Sequence, residues 1–306
     1  MLKWLNSDMP APVLTVTLNP AVDKTIKGRR VKLSAGGKGI NVSRALKVMG
    51  VRSIAAGLAA GASGKFILSE LKKEGINGRF SRVKGLSRTN LTVIDAKGRI
   101  IRGIQDGPAV TREEFSGFKK KFTALLKGRC YAVFSGANAN GLCVSAYAEL
   151  IRISRKAGVM TVLDTRGEAL KRGLRACPDI VKPNAEEAEY ISGISPRTTS
   201  DIRKIMRIFR KKGARTVLLT LGEKGAAASD GERVIFARPP KIRTGNSVGC
   251  GDAFLAGFIA RRIEGGDLAS CLRSAAAAGT ANAAGMVPGA FKIKDYKWIY
   301  SGTTLV

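Results

Sequence analysis

Residues Thr216 to Ile263 read TVLLTLGEKGAAASDGERVIFARPPKIRTGNSVGCGDAFLAGFIARRI. The run Thr216–Leu221 is aliphatic and β-branched and breaks at Gly222 and Gly225, which predicts a strand ending in a tight loop. Two shorter strands are expected at Ala226–Asp230 and Arg233–Ala237. Gly249-Cys250-Gly251-Asp252 then opens a helical pattern over Ala253–Ile263. Glycines at a helix start let successive backbone N–H groups converge, and the helix dipole adds positive potential there. That combination suits the charge that develops on a phosphoryl group in transfer. The bland alternative is that Asp252 serves the dipole alone, contributing some tenths to about 1 kcal/mol. In isolation the bland alternative wins.

Outward from this stretch, strand-like runs alternate with amphipathic helices from one end of the chain to the other. Strands are expected at Val13–Leu18, Ser53–Leu58, Tyr131–Gly136, Val159–Thr165 and Asp179–Val181, and helices at Glu113–Leu126, Ser145–Lys156 and Asp201–Lys211. Such alternation implies a mostly parallel sheet covered by helices on both faces, an α/β architecture of three αβα layers. Two regions depart from it. Lys24–Leu33 and Thr89–Gln105 alternate with period two, the second around Ala96-Lys97-Gly98, and are expected to form antiparallel strands of a small flap within 24–35 and 88–106. No linker or repeat divides the chain, so residues 1–306 are expected to form a single domain.

The composition narrows the chemistry. At 306 residues and 44% hydrophobic the chain can bury a large core. No apolar run approaches the roughly 20 residues needed to span a bilayer, and the start MLKWLNSDMPAP lacks the apolar segment of a secretory leader. A cytoplasmic protein without membrane contact is therefore expected. Cys130, Cys143, Cys177, Cys250 and Cys271 are dispersed and form no CxxC pair, which argues for reduced thiols. The chain has no histidine, so Ser-His-Asp, Cys-His and His-metal mechanisms are excluded. The general base must be Asp, Glu, Lys, Tyr or Cys.

The net charge of +30 raises nucleic acid as a partner. However, the basic residues are spread evenly over both halves, and the short clusters at Lys27–Lys32, Lys119–Lys121 and Arg210–Lys212 lack the interleaved aromatics that base stacking needs. A generally cationic surface, part of which serves an anionic substrate, is the preferred reading. Two further glycine clusters compete for phosphate. Ala59–Phe66, AAGASGKF, imitates a Walker A loop but has Ala59 and Phe66 where Gly and Ser or Thr are required. Gly36-Gly37-Lys38-Gly39 precedes a helix expected from near Asn41, where structural turn and ligand site stand about even.

The ordered set NPAVD, GGKGIN, KPNAEE, TLGEKGA and GCGD resembles the ribokinase-like carbohydrate kinases of the phosphofructokinase B type, in particular the 1-phosphofructokinase and tagatose-6-phosphate kinase subgroup. The likeness runs from about Val13 to Pro288. It implies a ribokinase-like αβα domain with a small β lid, and transfer of phosphate from ATP, with Mg²⁺, to a hydroxyl of a sugar or sugar phosphate. By that resemblance Asp252 is the catalytic base, and the backbone of Gly249, Cys250 and Gly251 forms the anion hole. Asp23, Gly36, Gly37 and Asn41 would grip sugar hydroxyls, with Asn90, Ser135 and Gly136 beside them. Lys38 and Arg88 match positions that meet the substrate's phosphate. Lys182, Thr220, Gly222 and Gly225 would line the nucleotide, while Asn184 and Glu187 organise Mg²⁺ largely through water. Singly, each of these residues has a commoner structural use, such as a turn at Asp23 or a helix cap at Asn184. Five motifs in order outweigh those uses.

Three departures from the family pattern stand out. Cys250 replaces the usual Ala or Ser of the anion hole. Only residues 24–35 separate Asp23 from Gly36, which predicts a trimmed lid hairpin and leaves open the homodimer that many relatives build from lid strands. Ala137-Asn138-Ala139-Asn140 follows Ser135-Gly136 where SLP is common. The expected reaction is fructose 1-phosphate to fructose 1,6-bisphosphate. Its rivals are kinases of fructose 6-phosphate, tagatose 6-phosphate or an unphosphorylated sugar or nucleoside, and an inactive relative that binds polyanions.

Overall fold

The computed structural model describes residues 12–94, 100–243, 247–285 and 287–306. In chain order the elements are β1 (Val13–Thr17), β2 (Ala21–Lys27), β3 (Arg30–Gly36), α1 (Lys38–Val48), β4 (Ser53–Ala60), α2 (Gly61–Lys73), β5 (Asn77–Val83), β6 (Arg88–Ile94), β7 (Ile100–Ile104), α3 (Arg112–Leu125), β8 (Tyr131–Ser135), α4 (Ala146–Lys156), β9 (Met160–Asp164), α5 (Gly167–Leu174), β10 (Ile180–Val181), α6 (Ala185–Ser192), α7 (Thr199–Lys211), β11 (Thr216–Thr220), β12 (Ala226–Ser229), β13 (Val234–Arg238), α8 (Cys250–Ile263), α9 (Leu268–Ala283), α10 (Ile293–Gly302) and β14 (Thr304–Leu305).

The central sheet has the order β14-β13-β12-β11-β10-β9-β8-β1-β4-β5. It is parallel from β11 through β5, and antiparallel where β12, β13 and β14 join in succession. Its strands are apolar on both faces, as a doubly covered sheet requires. Leu14, Phe134, Leu163 and Leu219 face one core with Phe118, Phe122, Tyr147 and Phe209 from the helices. Their strand neighbours Val13, Val133, Val162 and Leu218 face the other, with Leu46, Leu255, Ile259 and Leu272. This period-two partition produces the three layers, and each fully buried large side chain contributes about 1.5–3 kcal/mol. Phe115, Phe118, Phe122, Phe134 and Tyr147 form a run of ring contacts, with centroids 5.9–6.2 Å apart, from α3 through β8 to α4.

A second sheet, ordered β3-β2-β6-β7, forms the lid. The sequence predicts antiparallel pairing here, and β2/β3 and β6/β7 are antiparallel, but β2 pairs with β6 in parallel. The chain therefore leaves the lid after β3, builds α1 through β5, and returns in the same direction. The excursion between Asp23 and Gly36 is short, yet its two strands pair along their full length around Gly28 and Arg29, and the lid has four strands. The Ala96-Lys97-Gly98 turn lies outside the described residues. The Walker-like segment forms the β4–α2 junction, where Ala62, Ser63 and Phe66 line a groove of about 650 Å³ with Val22, Leu33 and Leu91 of the lid. Strand alternation puts those three lid residues on the face opposite Asp23 and Asn90. Among the described residues no helix is long and apolar enough to cross a membrane.

Candidate active site

The suspected residues gather where the parallel strands end and the helices begin, the edge at which open α/β sheets bind ligands. The helix after the GGKG cluster starts at Lys38, earlier than the sequence predicts, so Lys38 and Asn41 both lie in its first turns. A side chain at Gly36, the lid root, would displace the carboxylate of Asp23. Gly249 is the N-cap of α8 with φ 82°, and a Cβ would lie 2.8 Å from Pro288 Cα. Glycine is the residue that adopts this left-handed turn without strain.

Asp252 is 4% exposed, and its Oδ2 accepts a hydrogen bond from Asn41 Nδ2 at 2.9 Å. Burial first, and then the negative charge of Asp164, push its carboxyl up to about 6, while Lys38, Asn41 and Lys182 oppose the rise. A carboxylate so tuned is a proton acceptor near neutral pH. The Cys250 thiol is half-buried, and burial raises its pKa. Its sulfur accepts from Asn282 Nδ2 at 3.5 Å.

Between the two halves of the cleft stands Asp164, at the end of β9. It is fully buried, and its Oδ1 meets Lys38 Nζ at 3.1 Å and Lys182 Nζ at 3.3 Å. The two ammonium groups keep Asp164 ionised against its burial, and Asp164 in turn raises the pKa of Lys38. Its Oδ2 has no hydrogen-bond partner among the described residues. Lys182 lies against Gly251, a Cβ on which would come within 3.2 Å of Nζ. The N-terminal amides of α8 thus have two cations at their side.

On the lid side, Asn90 Nδ2 donates to Asp23 Oδ1 at 2.7 Å across the β2/β6 pair. Burial raises the pKa of Asp23, countered by Asn90, Arg44 and Arg88. Arg88 donates from Nε to the carbonyl of Asn19 at 3.2 Å. Burial lowers its pKa, Asp23 counters, and the nearby Arg166 adds to the lowering. On the opposite side, Asn184 and Glu187 cap α6 reciprocally: Asn184 Oδ1 accepts from Glu187 N at 2.8 Å, and Glu187 Oε2 accepts from Asn184 N at 2.9 Å. The structural use of Asn184 as a helix cap is therefore real. Burial and then Asp164 raise the pKa of Glu187, so this carboxylate suits a nearby cation. Thr220 bridges to Asn184, and Gly222 and Gly225 form the turn after β11.

The structure therefore brings Asp23, Gly36, Arg88 and Asn90 together under the lid. Lys182, Asn184, Glu187 and Thr220 gather by β10 and β11, with Lys38, Asn41 and Asp252 between the two groups. Gly37 precedes α1, and Gly136 donates its N–H to Asp164 O at 2.9 Å. Ser135 ends β8 in register with Asp164 of β9. Its side chain is fully buried, and its carbonyl accepts from the Tyr147 hydroxyl at 3.2 Å. Lys38 points its ammonium at Asp164, within electrostatic reach of Asp252 and Glu187. Sequence reasoning missed Asp164, Arg166, Arg44 and Asn282. Only Asp164 carried a signal, a charged residue near the end of an expected parallel strand.

The model of the pfkB family carbohydrate kinases matches residues 13–286, a span that takes in every element of this cleft. The chain belongs to the pfkB carbohydrate kinases. This pfkB kinase is 32% identical over 283 residues to the 1-phosphofructokinase of Borreliella burgdorferi, covering 89% of this chain and 91% of the relative. It is 29% identical over 287 residues to the tagatose-6-phosphate kinase of Staphylococcus epidermidis, covering 89% and 92%. Among solved structures it resembles phosphofructokinase-2 from Escherichia coli in complex with potassium, with TM-score 0.89, 28% identity and coverage of 95% and 99%. A tetrameric inhibited form of that E. coli protein is also known.

Proposed function

We propose that this pfkB kinase transfers the γ-phosphoryl group of ATP to a free hydroxyl of a ketohexose phosphate, with fructose 1-phosphate as acceptor and fructose 1,6-bisphosphate as product. The observation that carries this reading is the buried Asp252 carboxylate in the first turn of α8, tuned to about 6 and flanked by the lysines on Asp164. The names of its relatives supply the acceptor class. Asp252 takes the proton of the acceptor hydroxyl, that oxygen bonds to the γ-phosphorus in line, and the bond to the bridging oxygen of ADP breaks. The α8 amides, Lys182 and Lys38 face the negative charge in transit. Asp23 and Asn90 hold sugar hydroxyls, while Arg88, joined by Arg166, holds the phosphate the acceptor already carries.

The all-oxygen donor set of Asn184 and Glu187, with burial and Asp164 raising the pKa of Glu187 against the opposing pull of Lys38 and Lys182, fits a hard divalent cation held through water. Bound Mg²⁺ would offset the charge of the nucleotide's phosphates. Val31, Leu33 and Ile101 are exposed on the lid face away from Asp23, which supports a homodimer formed through the lids.

The reading is tested by ADP release with fructose 1-phosphate, fructose 6-phosphate, tagatose 6-phosphate, ribose and adenosine. The highest kcat/KM is expected for fructose 1-phosphate. Greater activity on ribose or adenosine would overturn the phosphosugar assignment, and no turnover with any acceptor would overturn the kinase reading.

A further inference from the structure

Asn41 uses both ends of its amide inside the protein. Its Nδ2 donates to Asp252 Oδ2 at 2.9 Å, and its Oδ1 accepts from Arg44 Nη1 at 3.0 Å. A guanidinium carries donors and no acceptor, so the end of Asn41 that faces Arg44 must be the oxygen. The nitrogen is thereby turned toward the carboxylate. Rotated by half a turn, Asn41 would oppose oxygen to oxygen at Asp252 and donor to donor at Arg44.

Arg44 is itself immobilised. Nε and Nη2 grip the two carboxylate oxygens of Glu74 at 2.7 and 2.9 Å. Nη2 also donates to the carbonyl of Ala35 at 3.0 Å, and Nη1 to that of Pro288 at 2.8 Å. The residue is 7% exposed. Its partners come from the C-cap of α2, the lid root in β3, and the turn that packs against Gly249. Asn41 and Arg44 are three apart on α1 and so share a helix face. The grip on three separate segments holds the guanidinium in one place, and the amide of Asn41 takes its orientation from it. Lysine could not reproduce this, because the planar fork reaches Glu74, Ala35 and Asn41 at once.

We propose that Arg44 is a positioning residue for phosphoryl transfer: it sets the orientation of Asn41, and through Asn41 the placement of the Asp252 carboxylate, without touching either substrate. The inference rests on Asp252 being the base. It separates Arg44 from a purely structural clamp, which would hold the fold together but would act on turnover independently of Asn41.

The test is a mutant cycle in the full-length enzyme, with Arg44→Met, Asn41→Ala, their combination, and Asp252→Asn assayed by ADP release on the best acceptor. Arg44→Met is expected to lower kcat by between about tenfold and a hundredfold, the scale of a misplaced reacting group, with KM for ATP unchanged. In the Asn41→Ala background the same replacement is expected to alter kcat by less than about twofold. An undiminished loss in that background, or no loss in the wild-type background, would overturn the proposal. If Arg44→Met does not fold, Glu74→Gln replaces it in the cycle. That variant slackens one side of the grip, and its smaller kcat loss must likewise vanish with Asn41→Ala. An inactive Asp252→Asn with additive effects in the cycle refutes Arg44 alone, whereas an active Asp252→Asn refutes the base and Arg44 together.

Discussion

Lys182 and Asp164 form an ion pair at 3.3 Å with both side chains withdrawn from water, 4% and 0% exposed. A pair so placed holds its geometry against solvent, and losing one partner leaves the other's charge uncompensated. Asp164 also raises the pKa of Asp252. In Asp164→Asn the lysines remain while the repelling charge is gone, so the pKa of Asp252 should fall. The acidic limb of the kcat–pH profile, which should lie near 6 in the wild type, is expected to move to lower pH. A limb that stays in place or rises would contradict this arrangement. Melting should show a loss of about 3–5 kcal/mol if no hydrogen bond replaces the pair.

Asp252→Asn separates catalysis from folding. Turnover should fall by about 10²–10⁴-fold, the range of general-base catalysis. The folded pKa of about 6 lies above the unfolded carboxylate value of 3.8, so the ionised side chain destabilises the native state above pH 6, progressively less between 6 and 3.8, and not below. The variant should therefore melt at or above the wild-type temperature at pH 8, with the difference closing by pH 4. A lower melting temperature at pH 8 would contradict the burial cost assigned to this carboxylate.

Arg166 stands at the N-cap position of α5, within electrostatic reach of Arg88. Two guanidinium groups converging with one carboxylate, Asp23, suit a dianion. Arg166→Ser should raise KM for the phosphorylated acceptor by about tenfold, the loss of roughly 1.4 kcal/mol from a charge-assisted contact, with kcat unchanged. An equal effect on an unphosphorylated sugar would remove the assignment.

Gly249→Ala tests the N-terminus of α8. The added methyl meets Pro288 in a left-handed turn, so a loss of about 1–3 kcal/mol is expected, together with a fall in kcat. Unchanged melting and turnover would show that the turn tolerates a side chain.

Most of the sheet was legible in the sequence because its strands are apolar on both faces and bounded by glycine. The GCGD helix was legible because the turn chemistry sits in consecutive residues. The parallel β2/β6 pair was not, since period two sets which face a residue occupies but says nothing of strand direction. Asp23 and Asn90 meet only through that pairing. Arg44 carries no motif and is one of 53 basic residues. Its importance comes from Glu74, Ala35 and Pro288, which the fold brings to it from distant parts of the chain.

The parallel pairing of β2 with β6 also dictates an order of assembly. Asp23 and Asn90 are 67 positions apart, and the chain crosses through α1, β4, α2 and β5 before β6 can pair with β2. The Asp23–Asn90 contact is therefore absent until the chain returns to the lid, and hydrogen exchange along the β2/β6 pair, unlike that within the local β2/β3 and β6/β7 hairpins, should report that return.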